Sequence, residues 1–249
     1  SSLRTHLNLP FVFTPQVSFK GKFNLTKQDT LYTTSQVKLN IIYNVNWFHS
    51  IGGIVDFENS TISSLAPIET LNNYKKNGFG VTYSFSTMNS NYKSPLYISL
   101  SYLKGGKNKI ENFENLNLLL ENTLKLNDKN NVFIKLTGQL LNATSISENE
   151  LFKIGGYKSI RGFDEFSIYT SKYLVSNIEY RYFLNKKNFF YSITDLALTK
   201  SLPNLENKPL LGLGIGYHYT ANNTIFNLSY ATANKSIDKK NGNRSKVYL

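Results

Sequence analysis

The sequence predicts an all-β chain, folded as an antiparallel up-and-down transmembrane β-barrel, and three observations point there. Apolar and polar residues alternate with a period of two through most of the 249 residues, the pattern of strands with one face towards an apolar medium and one towards a polar one. There is no run of 18 or more apolar residues and the mean hydropathy is -0.30. This excludes a membrane-spanning helix but not a barrel, whose strands need only every second side chain apolar. The aromatic residues, 17 Tyr and 17 Phe against one Trp, gather at strand ends and on apolar faces, as in Tyr180-Arg181-Tyr182-Phe183 and Tyr217-His218-Tyr219. Amphipathic rings are stable where hydrocarbon meets headgroups, which favours a barrel over a soluble sandwich.

Taken in chain order, the clearest strand puts Val37, Leu39, Ile41, Tyr43, Val45 and Trp47 on one face and Lys38, Asn40, Asn44 and Asn46 on the other. The pattern returns in Phe79/Val81/Tyr83/Phe85, in Leu96/Ile98/Leu100/Tyr102, and in Leu116/Leu118/Leu120 running on to Leu124 and Leu126. It continues in Val132/Ile134/Leu136, Leu174/Ser176/Ile178/Tyr180/Tyr182, Leu211/Leu213/Ile215/Tyr217/Tyr219 and Thr224/Phe226/Leu228/Tyr230. Turn-rich stretches at 104–108, 127–131 and 220–223 are expected to close hairpins. At roughly 20 residues per strand and connection the chain holds about a dozen strands. No change of composition divides it, so 1–249 reads as one barrel domain.

The net charge of +12 raises nucleic acid or anionic lipid as partners. The lysines, however, are scattered: Lys75-Lys76, Lys104, Lys107, Lys109, Lys186-Lys187 and Lys239-Lys240 read as turn residues, and no stripe collects them. Nucleic acid is therefore not expected as a partner, and lipid headgroups are. The absence of cysteine excludes a disulfide framework and a thiolate metal site. His6, His49 and His218 have no ligand spacing, and neither a Gly-x-Ser-x-Gly elbow nor an HExxH pattern occurs. The expectation is a protein that is not an enzyme, with no catalytic residue, metal or cofactor. A chain opening at Ser1, with Met88 its one methionine, reads as a processed or trimmed product.

Charged residues within strands carry sharper information. In residues 172–184, Leu174, Ile178, Tyr180 and Tyr182 form the apolar face, so Asn177, Glu179 and Arg181 point the other way. In the next strand Asp195 shares a face with Tyr191, Ile193 and Ala197. A charged group facing lipid costs up to about 2–4 kcal/mol at the bilayer midplane, so both strands are expected to turn these groups into the lumen. Arg161 lies in a segment of weaker alternation, about 143–171, that contains Gly155-Gly156 and Ile160-Arg161-Gly162-Phe163. If that segment folds back into the barrel, Glu179 and Asp195 are placed to take its guanidinium by forked hydrogen bonds. The alternative is that Arg161 caps a surface loop while Glu179 and Arg181 pair on a wet face. Gly212, Gly214 and Gly216 alternate along a strand without the G-x-G-x-x-G register, and their expected role is to clear one lumen-facing row for a loop or substrate segment.

These residues resemble a known family, the outer-membrane barrels of the BamA/TamA assembly factors and FhaC-like two-partner secretion transporters. The resemblance is carried by Gly155-Gly156, by Ile160-Arg161-Gly162-Phe163 as a form of the family's (V/I)RG(F/Y) loop motif, and by the strand around Glu179-Tyr180-Arg181. Ile193-x-Asp195-x-Ala197 is similar to the family's FxDxG pattern, with Ile for Phe and Ala for Gly. Gly212-x-Gly214-x-Gly216, the strand through residues 225–230 and the closing segment 245–249 look like the end of that barrel. The resemblance is specific over 151–249 and generic upstream.

It implies a sixteen-stranded barrel in the bacterial outer membrane, preceded by POTRA domains, and in some relatives by a phospholipase domain. Since about a dozen strands are counted and 245–249 is too short to span a bilayer, the chain is expected to be cut at both ends. The implied function is the insertion and folding of outer-membrane proteins by strand pairing at the barrel seam, with the Arg161 loop bracing the lumen. The implied partners are unfolded outer-membrane protein clients, the bilayer with its lipopolysaccharide and phospholipid, and accessory lipoproteins. Three other readings stay open: a two-partner secretion transporter exporting a dedicated exoprotein, a passive porin-like channel, and a soluble β-sheet binding domain.

Overall fold

Period-two sequence becomes strand almost throughout. The computed structural model describes all residues except 13, 29–30, 64–69, 88–93, 109, 201–206, 222–223, 235–244 and 249, and leaves the side chains of 207 and 208 undescribed. The strands are β1 (Ser2–Leu9), β2 (Val17–Gln28), β3 (Tyr32–Asn44), β4 (His49–Ile62), β5 (Tyr74–Ser86), β6 (Leu96–Lys107), β7 (Glu111–Lys125), β8 (Asn130–Ala143), β9 (Phe152–Ile154), β10 (Ile168–Thr170), β11 (Lys172–Phe183), β12 (Phe189–Lys200), β13 (Asn207–Ala221), β14 (Thr224–Ala233) and β15 (Ser245–Tyr248). One 3-10 turn, Glu148–Glu150, precedes β9. Among the described residues thirteen strands form one antiparallel sheet in the order β1 through β8 and then β11 through β15, each hydrogen-bonded to the next in that order; β9 and β10 pair separately. The sheet is thus up-and-down, with thirteen strands against the dozen expected.

Register fixes the two faces. Leu7, Gly21, Leu39, Val55 and Phe79 pair across β1 to β5 in one row, and His6, Lys22, Lys38 and Asp56 form the next row, on the opposite face. The apolar face is the exposed one: Ile41 is 61%, Ile215 69% and Phe79 72% accessible. On the other face some charged groups are covered, Asp195 at 0% and Lys107 at 2% accessible, while Arg4, Lys20 and Lys22 are open. A sheet selected for water would show the reverse, because an exposed apolar face of this extent is stable only against another apolar phase.

By density of contacts the chain comprises two units, residues 1–86, 99–117 and 140–151 in the first and 87–98, 118–139 and 152–249 in the second. In the first, Tyr74, Leu103, Phe113, Leu141 and Leu151 are buried. In the second, Ile154 and Ile160 pack with Val175, Ala197 and Leu210, joined by Phe163, Ile168 and Tyr173. A neighbouring cluster joins Tyr191, Ile193 and Ala231 to Phe189 and Tyr248. The loop before β11 thus gives the first of these clusters Ile154, Ile160, Phe163 and Ile168, and β11 to β13 give Tyr173, Val175, Ala197 and Leu210.

Several expectations are corrected. The strand through Val37 stops at Asn44, and Val45 and Trp47 lie in the reversal that follows. There Asn46 Oδ1 accepts hydrogen bonds from the backbone N–H groups of Phe48 and His49, both at 2.9 Å, which offers the chain a turn in place of further ladder. The glycine-rich stretch 104–108 is strand up to Lys107. A side chain at Gly105 would meet the carbonyl oxygen of Asn77, and one at Gly80 that of Tyr102, so the glycines there allow β5 and β6 to approach. The reversal comes after Lys107, with Asn108 in the left-handed region at φ 52°. Lys75, Lys76, Lys104 and Lys107, read as turn lysines, are strand residues. Of the turn expected at 127–131, residues 127–129 form it, Asn127 Oδ1 accepting from Lys129 N–H at 3.0 Å, while Asn130 and Asn131 open β8; Thr220 and Ala221, expected in a turn, close β13. Asn222-Asn223, Lys109, Lys239-Lys240, Met88 and Leu249 lie outside the described residues.

Candidate functional site

The site is built on residues 152–171, the part of the 143–171 segment that lies in the second unit. Gly155 and Gly156 adopt φ of +115° and +87°, a region that residues with a Cβ enter at a cost. A side chain at Gly156 would fall on the Glu165 carboxylate, which accepts from Tyr157 N–H at 2.8 Å. Gly155 N–H donates to Ser159 Oγ at 2.7 Å, and Gly156 N–H to the Ile160 carbonyl at 3.0 Å. This compact turn drops Ile160 into the apolar cluster and places Arg161 directly after it.

Arg161 is 4% accessible. Its Nε and its backbone N–H both donate to Asp195 Oδ2 at 2.8 Å, and Nη2 donates to Asp195 Oδ1 at 2.7 Å. Nη1 donates to Glu179 Oε1 at 2.6 Å. The second Glu179 oxygen accepts from Arg181 Nε and Nη2 at 2.9 and 2.7 Å, and the Arg181 guanidinium lies 4.1 Å from the Phe133 ring centroid. Asn177 donates from Nδ2 to the Ser159 carbonyl at 2.7 Å. The structure thus joins Arg161, Glu179, Asp195, Asn177 and Arg181 into one network, in which two acids and two guanidiniums alternate. Burial works against the charge of Arg161, but the hydrogen bonds and charge of Asp195, followed by those of Glu179, outweigh it and raise the guanidinium above its ordinary pKa.

The glycines divide by role. A side chain at Gly212 would meet the Arg161 carbonyl oxygen, and one at Gly216 the Tyr191 ring, so these two clear space on the covered face. Gly214 abuts the Tyr230 carbonyl and Ala231 of the adjoining strand, and serves strand approach. Gly162, at φ +93°, lies against the backbone of Thr232 and Ala233. Its N–H donates at 3.0 Å to the hydroxyl of Tyr248, which in turn donates to the Phe163 carbonyl at 3.2 Å. Lys246 forms an ion pair with Asp164. Tyr248 and Lys246 were not found from sequence, because a four-residue strand shows too little alternation to single them out.

The first unit holds a second buried charge cluster that the sequence reading missed. Glu150 Oε1 accepts from Lys107 Nζ at 2.7 Å and from Ser147 N–H at 2.9 Å, and its Oε2 lies 2.7 Å from Lys76 Nζ. Asn149 Nδ2 donates to Ser60 Oγ and to the Asn72 carbonyl, both at 2.9 Å. The S-x-x-E spacing of Ser147 and Glu150 was the available signal, being that of a capping box. Burial pushes the Glu150 carboxyl up, but Lys76 and Lys107 outweigh it and hold it below its ordinary value of 4.5. A depressed folded pKa contributes stability that is present above about 4.5 and is lost as pH falls through the lower folded value. Thermal unfolding in detergent should therefore show wild type losing stability below about 4.5 more steeply than Glu150→Gln, while parallel profiles would remove Glu150 as a source of that loss.

No protein-family model matches this chain, and no curated protein does. Solved structures do match. CdiB from Acinetobacter baumannii superposes with a TM-score of 0.65 at 19% identity, over 93% of this chain and 46% of that one. BamA from Haemophilus ducreyi lacking POTRA domains 1-3 superposes with a TM-score of 0.71 at 14% identity, over 98% of this chain and 60% of that one. The chain thus spans about half the length of the structures it matches, and what it shares with them is the fold.

Proposed function

We propose that this chain forms part of the wall of a sixteen-stranded outer-membrane barrel in a protein of the BamA/TamA and FhaC-like family, and that the barrel inserts and folds outer-membrane protein clients. In this reading the exposed apolar face meets lipid and the charged face lines the lumen. An unfolded client strand pairs by β-augmentation at the seam of the closed barrel, while the Arg161 loop braces the wall from inside. The observation that carries the reading is the clasp itself: a loop arginine held by carboxylates from two adjacent strands, on the face opposite the exposed apolar side chains.

Arg161→Ala and Glu179→Gln, in the full-length protein reconstituted into vesicles, are expected to lower the yield of folded β-barrel client roughly tenfold, about 1.4 kcal/mol of lost bracing. Unchanged client folding together with unchanged thermal stability would contradict the reading. The likeness to CdiB supports a second reading, a two-partner secretion transporter. Export of one dedicated exoprotein, with no effect on the folding of general clients, would select it.

A further inference from the structure

Cations outnumber available acids on the polar face of β1 to β4, all within the first unit. Three register rows lie side by side there: His6, Lys22, Lys38 and Asp56; Arg4, Asn24, Gln36 and Glu58; and Asn8, Lys20 and Asn40. Lys22 stands directly opposite Lys38, and like charges so placed weaken a sheet. The charges acting on Lys22 are those of Lys38, Arg4 and Asp56.

Both acids are already engaged. Asp56 Oδ2 holds Lys38 Nζ at 3.1 Å and accepts from Gln36 Nε2 at 3.1 Å. Glu58 accepts from Gln36 Nε2 at 3.1 Å and from the Tyr74 hydroxyl at 2.5 Å. Arg4, Lys20 and Lys22 are exposed, and among the described residues none of the three forms an ion pair. A row built for stability alone would carry an acid opposite Lys22, as Asp56 stands opposite Lys38.

We infer that Arg4, Lys20 and Lys22 dock an extended acidic polypeptide segment with carboxylates at alternate positions. Same-face residues along a strand are about 6.6–6.8 Å apart, and alternate side chains of an extended peptide repeat at the same pitch. A segment lying along β2 therefore sets successive carboxylates against Lys20 and Lys22. Arg4, one strand away at about 4.8 Å, closes on a carboxylate with its fork. A nucleic acid is disfavoured because Phe, Tyr and Trp rings for stacking are lacking: apart from the lysines, Arg4, Asp56 and Glu58, the three rows carry His6, Asn8, Asn24, Gln36 and Asn40. The inference names a chemical class for the client, and to that extent rests on the proposed function, but the docking can be measured without any insertion assay.

The test uses the full-length protein in detergent and two labelled peptides of equal length, one alternating Glu with Thr and one alternating Lys with Thr, read by fluorescence anisotropy. The Glu peptide is expected to bind, less tightly as salt rises, and the Lys peptide to fail. The triple variant Arg4→Glu, Lys20→Glu, Lys22→Glu should weaken Glu-peptide binding roughly tenfold or more. Lys186→Glu with Lys187→Glu, in a turn, should leave binding unchanged. Should the triple variant fail to fold, Lys22→Gln is expected to weaken binding about threefold. Equal binding of both peptides, insensitivity to these substitutions, or preferred binding of a single-stranded oligonucleotide would overturn the inference. Loss of this docking with client insertion intact leaves the proposed function standing; docking without insertion of any client does the reverse.

Discussion

Asp195→Ala is expected to destabilise the folded protein by about 3–5 kcal/mol, the largest effect of any single substitution at the site. The carboxylate is 0% accessible and takes three N–H groups from Arg161. Removing it leaves a covered guanidinium whose remaining acid, Glu179, is shared with Arg181. Arginine cannot shed its proton to relieve the charge. The cost is that of stranding a charge, which differs from the net worth of the pair, and the double variant separates the two. Arg161→Met with Asp195→Leu removes both charges at similar volume and is expected to be less damaging than Asp195→Ala alone. Urea unfolding in detergent, or the temperature at which the folded band is lost on a gel, measures both. A double variant as unstable as the two singles combined would mean that the charges do not act on each other.

Gly162→Ala is the second large effect, expected to cost about 3 kcal/mol. The residue sits at φ +93°, and an added Cβ would lie 2.7 Å from the Thr232 carbonyl carbon and 2.8 Å from Ala233 N. Both neighbours are backbone atoms in β14, which cannot swing aside as a side chain would. Displacing the turn also pulls Gly162 N–H from the Tyr248 hydroxyl, releasing the contact between β15 and the loop. Gly106→Ala is the matched control: nothing lies within 4 Å of its Cβ, and its effect should stay within about 0.5 kcal/mol. Equal losses in the two variants would show that backbone freedom, and not this packing, sets the cost.

How much of this was legible depends on whether each signal is local. The strands β3, β5 to β8 and β11 to β14 announce themselves because their apolar side chains fall on every second residue. β1, β2 and β4 do not, since Thr5 in β1, Gly21 in β2 and Gly53 in β4 occupy apolar-face positions and break the alternation. Gly105 was misread as turn because its use, the close approach of β6 to β5, depends on a partner strand that the local sequence does not specify. The Arg161 network was legible for an energetic reason: Glu179 and Asp195 are carboxylates within otherwise alternating strands, and a cation is what makes their burial tolerable. Lys76 and Lys107 belong to the same logic but sit beside glycine and asparagine, so they read as turn residues until Glu150 is placed between them.

One measurement bears most directly on the proposal that the apolar face meets lipid while the opposite face carries the clasped loop. The sequence contains no cysteine, so single cysteines can be introduced at Leu196, Leu198 and Ile215, exposed on the apolar face, and at Tyr157 in the loop, and spin-labelled in reconstituted bilayers. Labels at the first three positions should be relaxed by oxygen dissolved in the lipid and shielded from a water-soluble relaxation agent, and the label at Tyr157 should show the opposite preference. Free access of the water-soluble agent to Leu196, Leu198 and Ile215 would contradict a membrane-spanning wall and, with it, the lumenal placement of Arg161.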